Sequence, residues 1–158
     1  MKRSSVVAAT VLLLVAGCAE NAAVGNDREA ELDPPARPAE AMVAGAALRD
    51  IATSLVFPQI MTDADVRNVP VATTRCLFRM TRVGEPVVVF GPQAAVKLNG
   101  KLVPLPGSGM DTYAADGVTV TIRPLDDASE TEGPFEAEFV LRLPGASDEL
   151  GYHGFAEC

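Results

Sequence analysis

Residues 135–143, FEAEFVLRL, alternate in character: Phe135, Ala137, Phe139, Leu141 and Leu143 fall on one side, Glu136, Glu138 and Arg142 on the other. Side chains of a β-strand point to opposite faces with a period of two, so the stretch predicts a strand with one face in a core and one in water. Working outward, strands are also predicted over RCLFRMTRV (75–83), PVVVF (86–90), AVKLN (95–99), KLVPL (101–105) and VTVTIRP (118–124). Asn99-Gly100, between two of these runs, is a strong hairpin signal, because a two-residue turn of the favoured twist needs positive φ at both positions. RVGEP (82–86) turns an earlier pair, and YHGFAEC (152–158) adds a last short strand. Strands so spaced and joined by short turns predict a mainly β (α+β) fold, an antiparallel sheet curling into a small barrel or sandwich.

Before Pro70 the period changes. Ala41, Ala44, Leu48, Ile51 and Leu55 recur at spacings of three and four, which predicts one N-terminal helix ahead of the sheet. Glu40 would sit in its first turn and Pro58 would end it. TDAD (62–65) is read as the cap of a short second helix that stops before Pro70. Residues 39–158 are enough for one core and too few for two, so they are taken as a single β-rich domain. Residues 19–38, AENAAVGNDREAELDPPARP, lack hydrophobic period and carry Pro34, Pro35 and Pro38, the composition of a disordered tether.

The chain opens with the parts of a secretory signal: Lys2 and Arg3, an apolar stretch from Val6 to Val15, then Ala16 and Gly17. The stretch is too short for a membrane-spanning helix, which needs roughly 20 residues. Val15-Ala16-Gly17-Cys18 resembles the lipobox of bacterial lipoproteins. That resemblance implies a signal peptide over residues 1–17, a diacylglyceryl thioether on Cys18, and acylation of the new amino terminus, so that residues 18–38 become a lipidated tether. Two or more acyl chains hold a protein on a membrane stably where one does not. By analogy with lipoprotein sorting, Ala19 after the cysteine implies the outer membrane, with the domain in the periplasm.

Loss of residues 1–17 would leave 11 Lys and Arg against 21 Asp and Glu, a formal charge of −10. Such a chain lacks the basic footprint of nucleic-acid binding and offers nothing to anionic headgroups. Its acidity suits a cationic partner, and equally keeps a secreted protein soluble. With Cys18 taken by lipid, Cys76 and Cys158 remain as an even pair in an oxidising compartment, and a disulfide is the natural reading. The competing reading, free buried thiols or a metal pair, has only His153 as a further soft ligand, too few for zinc. No cofactor and no metal are expected.

Catalytic patterns are sparse. His153 with Asp148 could belong to a Ser-His-Asp arrangement, but neither Gly107-Ser108-Gly109 nor the stretch around Ser147 matches a nucleophile elbow. DADVRN (63–68) begins like a calcium loop, yet Asn68 stands where its glycine belongs and Thr74 where its glutamate belongs. DDASETE (126–132) gathers Asp126, Asp127, Glu130 and Glu132 in one loop between strands, a solvated loop or a docking surface for a basic protein. The chain is therefore expected not to be an enzyme.

The stretch 96–124, VKLNGKLVPLPGSGMDTYAADGVTVTIRP, resembles the membrane-bound inhibitors of C-type lysozyme, small Gram-negative lipoproteins with an eight-stranded barrel and a disulfide. In that family a Ser-Gly motif precedes a tyrosine and then a strand bearing Trp-x-Lys-Gly, and the serine loop and lysine enter the lysozyme cleft. By position Ser108, Gly109, Tyr113 and Gly117 match the first part, and Arg123 stands for the lysine; Thr121 holds the tryptophan's place and Pro124 the glycine's. The resemblance implies a lipid-anchored, periplasm-facing binding protein that inhibits a basic cell-wall hydrolase such as C-type lysozyme. The alternative is a structural or assembly lipoprotein of the envelope.

Overall fold

The structure, a computed structural model, describes residues 36–70, 75–125 and 133–158. Its strands are β1 (Pro58–Gln59), β2 (Cys76–Arg79), β3 (Pro86–Phe90), β4 (Gln93–Leu98), β5 (Lys101–Gly109), β6 (Thr112–Ala115), β7 (Val118–Pro124), β8 (Phe135–Arg142) and β9 (Leu150–Glu157). From β2 to β9 every strand pairs antiparallel with the next, and β9 returns to pair with β2. The result is an eight-stranded antiparallel barrel of up-and-down order, with β1 added beside the end of β4 at Pro58↔Leu98 and Gln59↔Lys97. Asn99 (φ 48°) and Gly100 (φ 71°) make the expected β4–β5 turn, and Asp116 (φ 48°) with Gly117 (φ 81°) repeats that geometry between β6 and β7.

Eight strands enclose a space that side chains fill. Phe78, Val88, Val96, Val103, Leu105, Val118, Val120, Phe139 and Leu141 are all fully buried in one cluster. The alternation of β8 falls as its sequence predicts: Ala137, Phe139 and Leu141 point in, while Glu136 and Arg142 are exposed. Phe139 packs on Phe78 and Tyr152 with ring centroids 5.5 and 5.6 Å apart, within the range of favourable aromatic pairs.

Closure rests on a short seam. β2 and β9 share three register pairs, Leu77↔Glu157, Phe78↔Ala156 and Arg79↔Phe155. The Cys76–Cys158 disulfide stands immediately beside them, with Cα atoms 4.0 Å apart. Gly154 is required there: a Cβ would collide with the Arg79 carbonyl oxygen and the Phe78 ring. Arg79 also reaches Glu157 across the seam at 2.8 Å, a half-exposed pair that contributes little by itself.

The N-terminal segment differs from its sequence reading. In place of one long helix there is a single turn, α1 (Ala44–Ala47), then a 3-10 turn at Thr53–Leu55. Of the five spaced residues only Ala44 and Leu48 are buried, Ile51 is half-buried and Ala41 and Leu55 are exposed; backbone pairing to the barrel takes precedence over the helical stripe. Leu102 donates its N–H to the Glu40 carbonyl at 2.9 Å and accepts from the Met42 N–H at 2.8 Å, so residues 40–42 run beside β5. Glu40 is therefore not in a helix; its carboxylate takes Lys101 at 2.8 Å, and that hydrogen bond and charge hold it below the usual carboxylate range. Asp50, at φ 60°, ends helical geometry well before Pro58.

The second helix is present as α2 (Asp63–Asn68), and TDAD is a full capping box: the Asp65 N–H donates to Thr62 Oγ1, and the Thr62 N–H to the Asp65 carboxylate. α2 lies on the outside of the barrel. Met61, Val66 and Val69 form a second buried cluster with Val89, Ala95 and Leu102. This covering explains why PVVVF shows no alternation: the strand is buried on both faces. Asp65 is fully buried under it, accepting from the Ala39 N–H at 2.6 Å and from Lys97 Nζ at 2.8 Å. Burial pushes its carboxyl up, but the bonds from Ala39, Lys97 and Thr62 outweigh it and lower the pKa to about 2.

Two predictions follow from the seam and the covering helix. Replacing both Cys76 and Cys158 by serine removes a cross-link over 82 residues and is expected to cost about 4 kcal/mol in denaturant unfolding, while Gly154→Ala alone should cost roughly 1–3 kcal/mol through overpacking. Asp65 has a folded pKa below its ordinary 3.8, so its contribution is present above that value and lost as pH falls toward about 2. Asp65→Asn is expected to lower stability at neutral pH by roughly 2 kcal/mol and to flatten the stability–pH curve in that acid window; an unchanged curve would contradict the assignment.

Candidate functional site

The barrel has two unlike ends. One carries the disulfide, the β3–β4 turn at Gly91-Pro92, the β5–β6 tip and the end of β7; the other carries the Asn99-Gly100 and Asp116-Gly117 turns with α1 against them. The Gly45 N–H donates to Asp116 Oδ2 at 3.0 Å, and Asn99 Nδ2 donates to the Ala47 carbonyl at 3.3 Å. The second end is thus partly wrapped. Among the described residues the disulfide end carries no such wrap.

At the disulfide end β5 outruns its neighbour. β4 begins opposite Pro106, at Gln93, and β5 continues through the exposed residues 106–109 to a tip where Met110 is 91 % exposed. The tip is held by short bonds: Ser108 Oγ donates to the Thr112 carbonyl at 3.3 Å and Thr112 Oγ1 to the Met110 carbonyl at 3.2 Å. Asp111 (φ 55°) accepts from the Ile122 N–H at 2.9 Å, which brings Arg123 alongside the tip. The Arg123 side chain is 64 % exposed, its guanidinium 4.0 Å from Glu138. Ser108 and Gly109 thus lie on the projecting end of β5 with Met110 at its tip, and Arg123 is exposed on β7 at the same end of the barrel; Met110 carries no sequence pattern, being a lone methionine in a glycine loop.

Tyr113 and Gly117 are corrections to the site read from the sequence. Tyr113 is buried in the core cluster and its hydroxyl donates to the Gly91 carbonyl at 2.9 Å, bracing the β3–β4 turn against β6. Burial, and next the charge of Asp111, raise its pKa, against the opposing bond to Gly91. It supports the tip from beneath and offers no contact surface. Gly117 lies in the β6–β7 turn at the opposite end, where positive φ and the nearby Pro144 account for it: a Cβ would sit 3.0 Å from the Pro144 side chain. Asp126, Asp127, Glu130 and Glu132, like Cys18, lie outside the described residues.

The other chemical candidates are not assembled. His153 is exposed on the outer face of β9, in register with Glu138. Ser147 Oγ donates to its neighbour Asp148 at 2.9 Å. These two line an open pocket of about 300 Å³ with Thr53, Ser54, Val56 and Leu143, a lining that does not include His153. Among the described residues no three His, Cys, Asp or Glu side chains are grouped to hold a metal ion. Asp63 and Asp65, which open the rejected calcium-like stretch, belong to the first turn of α2.

No curated protein and no solved structure matches the chain. Residues 14–158 match the family model described as a domain of unknown function, DUF6692, and the chain belongs to that family.

Proposed function

We propose that this protein is a lipid-anchored binding module of the cell envelope. The surface of Ser108, Gly109, Met110 and Arg123 engages a basic protein, and a C-type lysozyme is the named candidate. The observation that carries this reading is the hairpin of β5 and β6, which projects past the barrel with residues 106–110 exposed. The closed eight-stranded barrel and the Cys76–Cys158 bridge agree with the resemblance in the 96–124 stretch. The reading needs no chemistry from the chain. The exposed tip, Ser108 and Gly109 with Met110 at its end, offers a projection to a cleft, and a guanidinium fork is suited to the paired carboxylates of a glycosidase site. A formal charge of −10 on the mature chain would speed encounter with a cationic hydrolase at low salt.

Met110 and Leu125, 91 % and 44 % exposed near the same end, favour a second use of the surface, seating on another envelope protein. In-cell crosslinking through position 110 separates the two readings, since an assembly role predicts one dominant endogenous partner.

The direct test follows the turbidity of a cell-wall suspension with C-type lysozyme and the mature protein. Lysis is expected to slow near equimolar protein, and Arg123→Glu is expected to weaken inhibition by at least about tenfold, the loss of a paired charge at an interface. Unchanged lysis at large molar excess would remove lysozyme as the partner.

A further inference from the structure

Three of the seven large apolar side chains left exposed among the described residues are close in sequence. Leu55 (70 % exposed), Phe57 (60 %) and Ile60 (61 %) lie within six residues of one another, from the end of the 3-10 turn to the approach to α2. Their backbone is held firmly. Pro58 and Gln59 pair with β4, the Gly100 N–H donates to Gln59 Oε1 at 2.7 Å, and the Met61 N–H donates to the Pro86 carbonyl at 2.7 Å. Val56, Pro58 and Met61 are buried while Phe57 and Ile60 are exposed, so the exposure goes with a backbone that is hydrogen-bonded on both sides of them. Leu55 and Phe57 share a depression with Asn99, at the end of the barrel away from the disulfide. Ile60 lines another depression, together with Ala36.

That last neighbour indicates the occupant. Ala36 is the first described residue, the point at which residues 18–35 deliver the chain to the barrel. Eighteen residues reach at most about 60 Å when extended. A barrel tied through Cys18 is therefore confined close to its bilayer, and a weak apolar contact is strengthened by the high local concentration of lipid surface. Three side chains of this size expose roughly 300–400 Å² together, well short of the ~800 Å² per partner of a stable protein interface. Such a patch is small for a dimer and adequate for a surface already tethered. We infer that Leu55, Phe57 and Ile60 seat on the bilayer that holds the acyl groups of Cys18. The Asn99-Gly100 end then faces lipid, and the Ser108–Met110 tip points away from it. This rests on the lipid-anchor reading of Cys18.

The chain has no tryptophan, so an introduced one reports alone. The lipidated mature protein carrying Phe57→Trp, or Met110→Trp as the distal control, is reconstituted in phosphatidylethanolamine–phosphatidylglycerol vesicles with and without brominated acyl chains. Leu55→Trp serves as a second reporter should the first perturb folding. Bromine is expected to quench the Phe57→Trp and Leu55→Trp emission about twofold or more and to leave Met110→Trp nearly unchanged, as an apolar face at the headgroup–acyl boundary requires. Protein that floats with the vesicles but shows equal, weak quenching at both ends overturns the docking while leaving the anchor intact. Protein that does not float overturns both. A reporter already shielded without vesicles, with concentration-dependent sedimentation of the protein, assigns the patch to a second copy and overturns the lipid assignment.

Discussion

The barrel depends on the meeting of its first and last strands. Seven of the eight junctions join strands adjacent in the chain, where a turn keeps the partners close and little entropy is lost on pairing. The eighth, β2 with β9, must bring residues 77–79 to residues 155–157 with three register pairs to reward it. Three local devices compensate. The disulfide abuts the last pair and restrains the unfolded chain, Gly154 lets the Arg79 backbone and Phe78 ring approach, and the ring then reaches Phe139 in the core. Closure removes the free edges that an open sheet would offer to other chains.

A second constraint acts from outside. The segment 36–70 runs along β5, turns at the end of the barrel and lays α2 over β3 and β4, burying the outer faces of Val89 and Ala95. Asp65 ties three separate parts of this wrap, the Ala39 backbone, the helix cap and Lys97 of β4. A buried carboxylate without such partners would be costly, and with them it specifies where the helix sits. The wrap is what makes the two ends of the barrel different.

Much of the fold was legible in the sequence, and the reasons are local. FEAEFVLRL and VTVTIRP alternate because one face is wet, and Asn99-Gly100 announces its turn through the positive φ that those residues accept. The same logic applied to Asp116-Gly117 would have located β6, whose four residues TYAA are too few to show a period. The N-terminal helix was misread because helical spacing among alanines says nothing about competing backbone partners, and Leu102 of β5 supplied those partners from 60 residues away. The tie of Asp65 to Lys97 could not be read either, since each residue is ordinary in its own element. For the candidate site, Ser108 and Gly109 fall on the exposed end of β5 and Arg123 is exposed on β7, while Tyr113 and Gly117 matched by spacing alone and serve the core and a turn.

Recognition by such a body is confined by its own construction. The interior is filled by side chains, Phe78, Phe139, Leu105 and Leu141 among them. The eight barrel strands each pair with two neighbours, which leaves strand edge free only where β5 runs past β4 and along the short β1. The outer face of β3 to β5 is occupied by α2. What remains is the exposed face of β6 to β9, largely threonine and charge, and the two rims. One rim is shared with the wrapped N-terminal segment and its apolar side chains; the other carries a strand pair that runs on past the barrel and a cation beside it. Ala36 lines one depression with Ile60, on the wrapped side of the barrel, so the two rims differ both in shape and in the chain that stands beside them.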